Sequence, residues 1–157
     1  MTTDILSAAE LLLSIELAES RPGAITFSVH GPASTKGSTR SVLSADTGRI
    51  ITKADAKSLP VWTQAVAWSA KSAGVKLAPR PAAIGVRVWL LFARPASVRV
   101  TERPHMTIKP DLDKCLRATL DALTGIAYDD DSQVVETTVR KRYAARTETY
   151  LQIWEVR

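Results

Sequence analysis

The chain predicts an α+β fold, a small mixed sheet with helices packed on it, and three observations carry that prediction. Alternating apolar residues mark strands in 24–30, in 84–92 and beyond 132. Between them, 58–73 and 112–123 carry apolar residues at helical spacing. Strands and helices mix without a repeated βαβ rhythm, which argues against a doubly wound sheet. At 157 residues, 45% hydrophobic, the chain can build one domain with a real core.

Residues 1–20, "MTTDILSAAELLLSIELAES", read as a helical extension. Ser7 and Glu10 have capping-box spacing, and Leu6, Leu13 and Leu17 lie near one stripe. Asp4, Glu10, Glu16 and Glu19 interrupt the apolar patches, and no positive leader precedes them. Such a stretch falls short of the roughly 20 apolar residues a membrane span needs. No membrane partner and a cytoplasmic location are therefore expected.

Arg21-Pro22-Gly23 breaks this helix, and "AITFSVH" follows as a half-buried strand with Ile25, Phe27 and Val29 on one face. Residues 31–58 are rich in Gly, Ser, Thr and Lys and read as a long loop with one short strand at 49–53. The order Lys36-Gly37-Ser38 is not that of a phosphate-binding loop, whose lysine must follow the glycine and open a helix. Ser58 to Ala73 reads as a helix capped by Ser58, started at Pro60 and ended by Gly74, with Trp62, Val66, Ser69 and Ala73 on one face. In "AIGVRVWLLF" Ile84, Val86, Val88, Leu90 and Phe92 alternate, giving the clearest strand. A loop with three arginines, 94–105, leads to the last helix. Finally "SQVVETTVRKRYA" and "TETYLQIWEVR" read as a hairpin turning at Ala144–Thr147.

Charge and composition narrow the function. A net charge of +5 and a pI near 9.6 favour a polyanionic partner. The single cysteine, Cys115, permits no internal disulfide and no thiolate zinc site, and with His30 and His105 the only histidines the sequence argues against a His-rich zinc centre.

Against that basic background the acids crowd into "KPDLDKCLRATLDALTGIAYDDDSQVVE", residues 109–136. Pro110 keeps Lys109 extended, so Asp111 sits just before a helix that runs to about Leu123, with Gly125 ending it. Leu112, Leu116, Leu120 and Leu123 should pack inward, while Asp113, Arg117 and Asp121 form a polar stripe. Asp129–Asp131 precede the next strand, whose start can return beside the helix N-terminus. Three carboxylates around one volume are what Mg²⁺ or Mn²⁺ prefers, although aspartates also serve as helix caps and turn residues. An EF-hand is excluded because its sixth position needs Gly, and here it is Leu116 or Val134. A glycosyltransferase-type Asp-x-Asp lacks the nucleotide-binding half that should precede it.

The same stretch resembles the RusA-like Holliday junction resolvases, small dimeric endodeoxyribonucleases of bacteria and phages. Their signature, in outline Asp-x-Asp-Asn-x-x-Lys, Asp-Ala-Leu and Asp-Asp-x-Gln-Val, is met by Asp111 and Asp113, by Asp121-Ala122-Leu123, and by Asp130 to Val134. The Gly-Pro and Lys-containing loop at 31–40 extends the likeness more weakly. The resemblance implies a nuclease domain over 21–157. It implies Asp111, Asp113 and Asp131 as essential carboxylates, Asp130 as a fourth metal neighbour, and Mg²⁺ or Mn²⁺ as cofactor. Arg117 stands where the family has lysine and Lys114 where it has asparagine; both become candidates for stabilising charge on the scissile phosphate. Lys36, Arg40, Arg94, Arg99, Arg103, Lys109, Arg140, Lys141 and Arg142 are the expected contacts to a four-way DNA junction, cut symmetrically by a homodimer. Two other outcomes stay open: a junction-binding protein of the same fold that does not cut, and an unrelated α+β protein whose acids only cap a helix and a turn.

Overall fold

A tryptophan in one strand leans over a glycine in the next, and around that contact the central sheet is built. The computed structural model describes residues 21–36, 40–43, 50–53 and 58–157, of which 40–43 and 50–53 by backbone alone. The expected N-terminal helical extension, 1–20, lies outside the described residues. In chain order come β1 (Ile25–His30), β2 (Arg40–Leu43), β3 (Ile50–Lys53), α1 (Leu59–Ser72), β4 (Ile84–Ala93), α2 (Leu112–Leu123), a 3₁₀ turn (Asp131–Gln133), β5 (Val134–Ala144) and β6 (Glu148–Glu155). β2 and β3 form a separate antiparallel pair. The other four strands make a mixed sheet in the order β1-β6-β4-β5, parallel only between β4 and β5. The fold is α+β, as the sequence predicts. No described helix is long and apolar enough to cross a membrane.

β4 is the spine because both of its faces are apolar. Ile84, Val86, Val88, Leu90 and Phe92 face the helices, while Trp89 and Leu91 are buried on the opposite face. Gly85 lies on that second face, where a Cβ would stand 2.1 Å from Cε2 of Trp154, so only glycine admits the indole. The guanidinium groups of Arg21 and Arg87 sit 5.4 and 5.6 Å from the Trp154 ring.

The hairpin expected at Ala144–Thr147 is not formed: β5 and β6 lie on opposite sides of β4. The link steps over the end of that strand instead, pinned by Arg94 N donating to Ala144 O (3.1 Å) and Ala93 N to the Thr147 hydroxyl (2.9 Å). Burying β4 on both edges removes its apolar length from water more fully than a β5–β6 hairpin would.

The helix faces also shift from expectation. On α1 the buried residues are Trp62, Val66 and Ala70, because the helix ends at Ser72 and Ala73 falls outside it. Ser58 occupies the N-cap position, yet its hydroxyl shares a hydrogen bond with Ser34 (2.8 Å) rather than capping. On α2 the buried face is Cys115, Ala118, Thr119, Ala122 and Leu123, while Leu112 is exposed and Leu116 and Leu120 are half-buried. Small side chains on that face let α2 approach α1 closely, and the leucines flank the contact instead of making it.

Candidate functional site

α2 starts where the sequence predicts. Asp111 is the N-cap, in extended conformation (ψ 135°), and Asp113 stands in the first turn. The Asp111 side chain makes no capping hydrogen bond; its Oδ2 meets the Lys114 ammonium at 2.7 Å. That hydrogen bond and charge, with Lys109 and Lys141 adding theirs, hold the Asp111 carboxyl below its ordinary range, and Asp111 in turn raises Lys114. Asp113 and Arg117 follow, both exposed, one turn apart on the outer face. Further along the stripe Asp121 pairs with the Lys36 ammonium, and Lys36 N donates to Lys114 O (3.2 Å). The segment ending at Lys36 is thus strapped along α2.

The triple aspartate divides its labour. Asp129 Oδ2 accepts from Arg80 N (3.3 Å); Asp130 accepts from Ser132 N (3.0 Å) and pairs with the Arg80 guanidinium (3.3 Å). The hydrogen bonds from Ser132 lower the Asp130 pKa, and Arg80 adds to that. Asp131 is exposed at the start of the 3₁₀ turn. Buried Gln133 organises the whole turn: its Oε1 accepts from Asp129 N (2.9 Å) and Asp130 N (3.2 Å), and its Nε2 donates to Ala78 O and Ala82 O (both 3.1 Å). Tyr128 is fully buried and donates its hydroxyl to Leu120 O (2.8 Å). Burial, then the nearby charges of Asp131 and Asp121, push its hydroxyl pKa up.

These contacts settle where the two acidic segments lie. Tyr128 pins the acidic turn to the C-terminal half of α2, nine residues or about 13 Å along the axis from Asp111. β5 confirms the separation. Val134, just after Asp131, pairs with Ile84 at the start of β4; Lys141, whose ammonium reaches Ile108 O (2.7 Å) and Pro110 O (2.8 Å), pairs with Leu90 near its end. The expectation that the start of β5 returns beside the α2 N-terminus is therefore overturned by the parallel β4–β5 pairing. Among the described residues no three His, Cys, Asp or Glu side chains gather closely enough to hold a metal ion. In kind, the exposed carboxylates of Asp111, Asp113 and Asp131 suit a hard divalent cation. In placement, one chain does not bring them to one point, and an ammonium already sits on Asp111.

The expected DNA contacts separate as well. Lys36 and Lys141 are engaged with their own chain, as above. Arg103 reaches the Tyr143 hydroxyl (3.4 Å), and Arg94 lies 4.1 Å over the Tyr143 ring while donating to Arg103 O (2.7 Å). Arg99 pairs loosely with Glu102 (4.0 Å). Lys109 and Arg140 are exposed and Arg142 is half-buried, whereas the Arg40 side chain lies outside the described residues. Sequence reasoning missed the roles of Gln133, Tyr128 and Arg80. Gln133 alone carried a signal, its place in the acidic motif.

A family model described as "Endodeoxyribonuclease RusA" matches residues 32–154, most of the chain. Over 50 residues the chain is 42% identical to "Uncharacterized protein YqaN" of Bacillus subtilis (strain 168), covering 32% of this chain and 35% of that protein. The chain thus matches about a third of that relative's length.

Proposed function

Because the chain belongs to the endodeoxyribonuclease RusA family, we propose that it is a structure-selective endodeoxyribonuclease that resolves four-way (Holliday) DNA junctions in recombination and repair. The proposal includes Mg²⁺ as cofactor, with Mn²⁺ able to replace it, a homodimer as the active unit, and action in the cytoplasm. The observation that carries it is the family match running through both acidic segments, with Asp113 and Asp131 left exposed while Asp129 and Asp130 are spent on holding their turn.

Asp111, Asp113 and Asp131 are the carboxylates proposed to hold the metal, with Asp130 as neighbour. A divalent cation bound there would supply an acidified water and counter-charge for the leaving oxygen. The rest falls to the chain itself. Arg117, one turn from Asp113, would pair with two oxygens of the scissile phosphate through parallel N–H bonds. Lys114 can serve the same charge once a phosphate competes for it with Asp111. Lys109, Arg140 and Arg142 would keep the strand backbone alongside.

A second reading, a junction-binding protein that does not cut, draws support from the Lys114–Asp111 pair and from the separation of the acids within one chain. The two readings part on one experiment. A labelled mobile junction and a linear duplex of the same sequence are incubated with the protein in Mg²⁺ or EDTA. Paired nicks in the junction that need Mg²⁺ and vanish in Asp113→Asn, with binding retained, are expected. Tight junction binding with no cut in Mg²⁺ or Mn²⁺ would favour the binder.

A further inference from the structure

We propose that Lys141 is a positioning residue: it ties the segment leading into α2 to strand β5, fixing where Asp111 and Asp113 stand, and does not contact DNA. This rests on the reading of those two aspartates as the site. Its ammonium donates to Ile108 O at 2.7 Å and to Pro110 O at 2.8 Å. The two carbonyls flank Lys109, and the second belongs to the residue just before Asp111.

The need for such a tie follows from the fold. Between the end of β4 at Ala93 and the start of α2 at Leu112 the chain forms only turns and bends. Arg94 holds the middle of this excursion through Arg103 O and Pro104 O. Lys141 holds its last stretch, and does so from a strand locked into the sheet by its pairing with Leu90. An ammonium has three donors, and two are spent on these carbonyls. Its bond to Pro110 O, the carbonyl next to the N-cap Asp111, sets the ammonium at the entry to α2. A carboxylate at the end of a long loop is only as well placed as its support, and a shift of about 1 Å in a reacting geometry can cost on the order of a hundredfold in rate.

The test compares Lys141→Met and Lys141→Arg with the wild-type full chain. Amide hydrogen exchange across 106–114, without DNA or metal, reads the tether directly: Lys141→Met is expected to speed it several-fold, and unchanged exchange would overturn the proposal. In junction cleavage with Mg²⁺, Lys141→Met is expected to lower kcat about tenfold or more. KM and metal-free junction affinity should stay within about twofold, since no phosphate contact is removed. Lys141→Arg, which keeps donors to both carbonyls, should recover most of the loss. A weaker, less salt-sensitive junction complex with unchanged kcat would instead make Lys141 a phosphate contact. Should wild type itself fail to cut, the nuclease reading fails, and hydrogen exchange still decides the tether. If the methionine variant does not fold, Lys141→Gln carries the same comparison.

Discussion

Asp111 and Asp113 are two residues apart yet keep different company: one holds an ammonium, the other faces solvent. Both partners of the Asp111–Lys114 pair are substantially exposed, so its value lies in charge and not in stability. Replacing Lys114 by asparagine removes the largest influence depressing Asp111. Its carboxyl should then titrate closer to the ordinary 3.8, followed by carboxyl-carbon NMR. The sign is fixed by the direction: a carboxyl depressed in the folded state favours folding above 3.8, and that contribution fades as pH falls through the folded-state value. The same substitution should tighten Mn²⁺ binding about tenfold, the effect of removing one positive charge roughly 6 Å from a divalent ion in water-like surroundings. Unchanged Mn²⁺ affinity would mean that the cation does not sit beside Asp111.

At the scale of elements, one glutamine keeps the acidic turn in shape. Gln133 satisfies two backbone donors of its own turn and two carbonyls of the connector between α1 and β4, all near 3 Å. Leucine fills similar space and leaves all four unpaired, so Gln133→Leu should lose about 2–4 kcal/mol, measured by urea unfolding. Its cleavage should fall as well, because Asp131 is two residues away. A loss under about 0.5 kcal/mol would mean that water replaces the amide freely. These elements were legible in the sequence to different degrees. The bounds of α2 were readable because Pro110 and Gly125 punctuate it, and the strands because apolar residues alternate in them. The sheet order was not. A connection of three residues, 145–147, is as compatible with a hairpin as with one step across a neighbouring strand, and only the doubly apolar β4 between them decides. On α2 the leucines carry the apolar periodicity, whereas the close packing is made by the small residues Cys115, Ala118 and Ala122. For the candidate site, the sequence offers residue types and not geometry, since placing Asp131 required the parallel β4–β5 pairing.

For the whole molecule, that placement bears on how a complete site could form. Asp111 and Asp113 stand at the start of α2 and the 129–131 turn lies by its C-terminal half, so among the described residues one chain does not gather them around one cation. A two-fold dimer that set Asp131 of one copy against Asp111 and Asp113 of the other would gather them, and would create two equivalent sites in the same act. Symmetric cutting and metal binding would then share one cause. Subunit mixing tests this. Asp113→Asn and Asp131→Asn dimers should each be inactive. Refolded together, they form heterodimers in which one site carries both lesions and the other carries neither. Such a mixture should regain nicking of a single strand of the junction, up to about half of the chains being in mixed dimers by random pairing. If each site were built within one chain, every site would keep a lesion and mixing would restore nothing.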